Sequence, residues 1–142
     1  MKKTRTLLLT VGIAISTMLI FSSCITSVPT ITLEAPEDGS EFYAGYDVHF
    51  AAQLEDKIGI ASYSIQITPV ENGTDNNQDA VPFHYQNHWE MENETEVHLH
   101  QHDVIIPQDA AKGNYIFTLT CTNKKGRQTQ VSVPIVIVWI ED

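Results

Sequence analysis

Between Thr30 and Ile140, β-branched and aromatic residues recur at alternate positions, and short groups of Pro, Gly, Asn and Asp interrupt them at regular intervals. Strand side chains point alternately to two faces, so this period predicts strands with one buried side. Thr30-Ile31-Thr32-Leu33 reads as a first strand, stopped by Pro36-Glu37-Asp38-Gly39-Ser40. Residues 46–54 supply a second, with Val48, Phe50 and Ala52 on one face, and residues 60–68 a third. After the polar stretch 71–79, strands are predicted over 83–89, 97–106 (closed by Pro107, which cannot donate to a ladder), 114–122 and 128–140. The turn Asn123-Lys124-Lys125-Gly126 joins the last two as a hairpin. Helical periodicity is nearly absent. An all-β, immunoglobulin-like antiparallel sandwich of about seven strands over residues 30–142 is the expected fold.

The chain before this domain reads differently. Lys2, Lys3 and Arg5 precede an uncharged apolar run from Leu7 to Phe21, and Ser22-Ser23-Cys24 follows. A basic start, an apolar stretch and small residues describe a secretory signal; the run is shorter than the ~20 residues a membrane span needs. With Leu19, Ile20 and Phe21 ahead of it, Ser22-Ser23-Cys24 resembles a bacterial lipobox, whose cysteine is lipidated and becomes the first mature residue. The competing reading is an ordinary secretory peptide with an incidental cysteine. The expected organisation is a signal peptide at 1–23, a lipidated tether at 24–29 and the sandwich beyond. Lipid on Cys24 implies a membrane anchor in the envelope of a Gram-negative bacterium. No acidic cluster follows Cys24, which favours an outer-membrane position facing the periplasm over surface export.

Removing residues 1–23 leaves 119 of 142, enough for one domain with a real core. The signal holds three of the eight basic residues and none of the 18 acidic ones, so the mature charge is 5 minus 18, or −13. Nucleic acid and anionic lipid headgroups are poor partners for such a surface. With Cys24 committed, Cys121 has no disulfide partner. It lies in phase with Tyr115, Phe117 and Leu119 and reads as a buried, inert thiol.

Pro36 with Gly39, Gly45, Val48, Phe50, Asp56, Ile60 and Ile65 look like the opening half of bacterial Ig-like domains. Ile106-Pro107, Ala110, Gly113-Asn114-Tyr115, Phe117 and the 123–126 turn look like the closing half. With its histidine-rich strand before Ile106-Pro107, the mature chain resembles the lipoprotein family known as domain of unknown function 4625. That resemblance implies the sandwich fold and brings no activity. It departs from the expected pattern at Asn123, where Asp is anticipated, and at Ile116, where His is anticipated.

Five of the six histidines fall at His84, His88, His98, His100 and His102. By alternation, His98, His100 and His102 share one face of their strand and His84 and His88 one face of theirs. If the two strands form a hairpin that pairs Phe83, Tyr85 and Trp89 with Val97 and Leu99 on the buried side, the imidazoles meet on the other. His88 then opposes His98 and His84 opposes His102, with Cβ atoms roughly 4.5–5.5 Å apart. Neutral imidazole suits zinc, copper(II) or nickel, so these five residues are the candidate ligands of a site for Zn or Cu(II). Two alternatives stand beside it: a solvated or pH-responsive face, and a patch for a partner. Val104 and Ile106 are even-numbered and apolar, so either a bulge near Asp103 shifts the register or part of the histidine row points inward. His49, in the alternate phase to Val48 and Phe50, reads as an exposed bystander.

Other constellations are weaker. Asp75-Asn76-Asn77-Gln78-Asp79 lacks the glycine of a calcium loop, having Ala80 there, and has Gln86 at the twelfth position. Glu37, Asp38, Glu41 and Asp47 read as a solvated acidic loop, the alternative being an acidic end like that of calcium-linked Ig-like modules, and Tyr43, Tyr85 and Trp89 would stack on sugars only if exposed. No nucleophile–base–acid order, phosphate loop or carboxylate pair can be defended, so an enzyme is the least supported class. The expected function is a non-enzymatic, lipid-anchored binding or accessory module with a metal-binding histidine face. Its rival is a structural or adhesive module that contacts an envelope protein or glycan.

Overall fold

The computed structural model describes residues 27–75 and 79–140. Eight strands occur in chain order: β1 (Thr30–Ala35), β2 (Ser40–Tyr43), β3 (Asp47–Glu55), β4 (Ile60–Thr74), β5 (Tyr85–Glu90), β6 (Glu96–Ile105), β7 (Gly113–Asn123) and β8 (Gln128–Val138). They form a three-stranded sheet, β1-β3-β6, and a five-stranded sheet, β2-β8-β7-β4-β5. All ladders are antiparallel except that of β2 on β8. The chain is an immunoglobulin-like sandwich, and the turn at 123–126 joins β7 to β8 as the sequence predicts.

The period-two pattern becomes the core. Val48, Phe50 and Leu54 of β3 face Ile65 and Ile67 of β4, Phe117 and Leu119 of β7 and Ile135 of β8, all fully buried. Phe50 and Phe117 meet across the two sheets with ring centroids 6.1 Å apart. Each such side chain stabilises the fold by roughly 1.5–3 kcal/mol relative to exposure. The Tyr115 hydroxyl donates to the Ala111 carbonyl at 2.6 Å, the corner bond typical of these sandwiches. Gln101 Nε2 donates to the Tyr63 hydroxyl at 2.7 Å and so ties β6 to β4 across the interior.

β5 and β6 do not form the expected hairpin. β5 pairs with β4, placing Trp89 opposite Tyr63 and His88 opposite Ser64. β6 pairs with β3, placing His98 opposite Gln53 and His100 opposite Ala51. The link at 91–95 crosses from one sheet to the other, with Met91 N–H on the Ala61 carbonyl and Ile60 N–H on the Glu94 carbonyl. Two edge strands in facing sheets bury the same odd-numbered residues that a hairpin would, so alternation alone does not distinguish the two arrangements.

The conflict between the odd and even halves of β6 is resolved by a bulge. Val48 pairs with Val104 and Phe50 with Gln101, so His49 alone stands opposite His102 and Asp103 together. Val97, Leu99 and Gln101 point inward before the bulge and Val104 and Ile106 after it, while His98, His100, His102 and Asp103 stay exposed.

At the end of the sandwich where the N-terminal segment joins, Asp56 is buried and accepts from Ile58 N–H (2.8 Å), the Ser27 hydroxyl (2.8 Å) and Asn123 Nδ2 (3.2 Å). Asn123 Nδ2 also donates to the Ser27 carbonyl, and its Oδ1 accepts from Lys125 and Arg127 N–H. Thr129 donates to the Pro29 carbonyl at 2.5 Å, so residues 27–29 lie fastened to the domain. Gly59 closes the same end at φ +104, where a Cβ would sit 2.6 Å from the Asn93 carbonyl oxygen.

Burial alone would raise the pKa of Asp56, but hydrogen bonds from Ile58, Ser27, Asn123 and Gly59 outweigh it and hold the carboxyl below its ordinary 3.8. A depressed folded value stabilises the fold above the unfolded pKa and ceases to do so as pH falls through the folded one. Asp56→Ala is therefore expected to lower unfolding free energy by about 3 kcal/mol at neutral pH in urea titrations. The gap from wild type should narrow below pH ~4; a constant gap from pH 7 to 3 would contradict a charged Asp56.

Candidate functional site

β3 and β6 carry their odd and even outward residues side by side. From β3, Asp47 and His49 point to solvent; from β6, His100 and His102 do, brought level with His49 by the bulge. One ligand nitrogen from each of His49, His100 and His102 can be chosen so that all lie within 4.8 Å of one another. Among the described residues this is the one group of three His, Cys, Asp or Glu side chains so gathered. His49 Nε2 and His100 Nδ1 are 3.4 Å apart. Zinc–nitrogen bonds of 2.0–2.1 Å at the tetrahedral angle separate two ligand nitrogens by about 3.3 Å, so this pair already has a chelating spacing.

The rings differ in attitude. His49 and His102 stack at 4.6 Å and 17°, whereas His100 stands edge-on to both, at 61° to His49 and 69° to His102. Stacked rings present their nitrogens side by side, so loading an ion requires one ring to turn between staggered rotamers, which exposed side chains do readily. Asp47 Oδ2 lies 2.6 Å from His102 Nδ1. That hydrogen bond to His102 is the chief reason the Asp47 carboxyl lies below its ordinary 3.8, with the fields of His102 and His49 adding to it. Beside His49 runs a groove of about 340 Å³ lined by Glu34, Glu37, Ser40 and Glu41, so the surroundings are acidic.

The five expected ligands are thus divided. His100 and His102 belong to the group. His98 shares their face but turns to Glu96 Oε1 at 2.9 Å, which also accepts from Gln53 at 3.0 Å. His88 lies on the outer face of the five-stranded sheet and bonds Glu90 Oε1 at 2.8 Å, and His84 is exposed just ahead of β5. The two sheets and the core separate His84 and His88 from the other three, which corrects the hairpin geometry. His49, set aside as a bystander, takes their place. Its phase already put it on the solvent face of β3; what was missing was that β3 is the neighbour of β6. Cys24 lies outside the described residues, as does part of the 75–79 stretch.

A family profile described as Domain of unknown function (DUF4625) matches residues 22–138. The chain belongs to that family. Its description assigns DUF4625 no activity, so the chemistry must be argued from the side chains. No curated protein matches the chain. Among solved structures, the fibronectin(III)-like modules of Clostridium thermocellum CbhA are similar with a TM-score of 0.44 and 16% identity, over 80% of this chain and 99% of that one.

Within this DUF4625 domain the remaining nucleophile is unsuited to chemistry. Cys121 is fully buried, and burial, with the charge of Asp56 adding, pushes its thiol up to about 11. A thiol reagent at pH 8 should leave Cys121 unmodified in the native protein over hours and modify it in denaturant, read by peptide mass; rapid labelling of Cys121 in native buffer would contradict its burial.

Proposed function

We propose that this DUF4625 protein is a lipid-anchored, non-enzymatic module of the cell envelope whose three-stranded sheet holds a transition-metal ion through His49, His100 and His102. The carrying observation is the mutual approach of three imidazole nitrogens within 4.8 Å on one exposed face. Three neutral nitrogens without a thiolate suit zinc or copper(II) and leave a coordination position to water or a partner's group. The surrounding carboxylates raise the local concentration of divalent cations. The site is open to solvent, and the carboxylates of the groove beside it, Glu34, Glu37 and Glu41, are themselves exposed, which supports holding over turnover.

The proposed anchor sets a direction. The described chain starts at Ser27, against Asp56, whereas Asp47 and His102 sit toward the opposite ends of β3 and β6. Six steps along β3 from His49 to Glu55, at about 3.3 Å each, separate the metal face by roughly 20 Å from the Asp56 end, where the proposed anchor would lie.

One observation favours a second, adhesive reading. Tyr43 and Tyr46 lie edge to face at 6.4 Å and are 46% and 54% exposed, near Ile105 at 58%. An exposed aromatic pair of this kind suits a glycan or an envelope protein.

Calorimetric titration of zinc or copper(II) into the full chain, purified in detergent without a histidine tag, separates the readings. One saturable site tighter than about 10 µM is expected, weakening at acid pH because protons compete for imidazole. His49→Ala and His100→Ala should each cost at least about tenfold in affinity, and the double variant His84→Ala/His88→Ala should cost nothing. Absence of a saturable site, or equal losses in both sets, would discard the metal reading and leave the adhesive one.

A further inference from the structure

The His102–Asp47 contact has a consequence for the metal face that the three imidazoles alone do not contain. Asp47 and His49 are two apart on β3 and therefore share its outward side. His102 occupies the bulge of β6 opposite His49, which brings its ring over both residues: it stacks on His49 at 4.6 Å and its Nδ1 reaches Asp47 Oδ2 at 2.6 Å. A carboxylate accepts only, so at neutral pH the Nδ1 of His102 must carry the proton of that bond. In the neutral imidazole, the form that can bind a metal, Nε2 is then the free lone pair, across the ring from Nδ1. Among the described residues no carboxylate bonds His49 or His100, whose ring nitrogens lie 3.4 Å from each other.

The geometry points to Asp47 as a positioning residue that locks His102 in the Nδ1-protonated form with Nε2 presented to the ion, making His102 the fixed ligand onto which His49 and His100 close. This deepens the metal reading and rests on it. A carboxylate on the distal nitrogen raises the basicity of the ligating one and limits ring rotation, and removing such a partner typically costs 10–100-fold in affinity. The contrast with the other histidine–carboxylate pairs is informative. His98–Glu96 and His88–Glu90 each join residues two apart on one strand through Nε2, so the carboxylate occupies the outer nitrogen and leaves only Nδ1, the one nearer the backbone, for an ion. Among the described residues, only at His102 does the carboxylate come from the neighbouring strand and take Nδ1.

The test uses the full chain labelled with ¹⁵N-histidine, read by long-range ¹⁵N–¹H spectra without metal and by zinc calorimetry. In wild type, His102 is expected as a single Nδ1-H tautomer near neutral pH, with His49 and His100 mixed. Asp47→Ala should return His102 to a mixture and weaken zinc about 10–100-fold, while Asp47→Asn, whose side-chain oxygen still accepts from Nδ1, should recover most of both. Glu96→Ala serves as the control, removing a histidine partner of the other kind without effect on zinc. If wild type binds zinc and Asp47→Ala binds equally well, or if His102 is not held as the Nδ1-H tautomer in wild type, the assignment of Asp47 is overturned and the three-histidine reading stands. If wild type shows the tautomer and binds no zinc, the reading itself fails and Asp47 with it.

Discussion

Everything distinctive about the outer face of the three-stranded sheet follows from one demand of the core: Leu99 and Val104 must both be buried although five positions separate them on one strand. A regular strand would place them on opposite sides. The extra residue at His102–Asp103 reconciles them, and two exposed side chains then stand where the partner strand offers only His49. Hydrophobic burial of several side chains, each contributing roughly 1.5–3 kcal/mol, is ample to enforce such an irregularity. The crowding of imidazoles is a by-product of packing on the other side of the sheet, and it falls where bulges commonly re-aim side chains.

The two ends of the sandwich use polar groups in different ways. Around Asp56 and Asn123, carboxylate, amide and backbone groups are removed from water and mutually satisfied, joining the N-terminal segment, the 56–59 turn and the 123–127 turn. Loss of a member there leaves its partners buried without a bond, which is costly. Around His49, His100 and His102 the side chains remain solvated, so little folding free energy depends on their attitude, and His49 and His100 are free to turn while Asp47 holds His102. Rigidity at the first end and adjustability at the second are what the proposed anchored, metal-holding module would need.

Much of this was legible beforehand. Alternation in 46–54, 60–68 and 114–122 located the strands and their buried sides because sandwich cores select every second residue. The clash of phase between Leu99 and Val104 is visible in the sequence and admits either a bulge near Asp103 or inward-pointing histidines; the ladder chooses the bulge. Alternation puts His100 and His102 on one face, without deciding that all of it is outward, and puts His49 on the exposed side of its strand. What could not be read was strand adjacency: Trp89 with Tyr63 and Leu99 with Ala52 bury their odd positions as well as Trp89 with Val97 would have done.

The amino-acid order by itself determined which side chains of each strand seek the interior, because the two-residue repeat is a property of the extended backbone and needs no neighbour to be defined. Only the tertiary structure decided which strand lies beside which, since many long-range ladders satisfy the same alternation and the choice among them rests on packing between distant segments. His49, far from His100 along the chain and 3.4 Å from it in space, belongs to that second kind of information, and so does the carboxylate of Asp47 on His102.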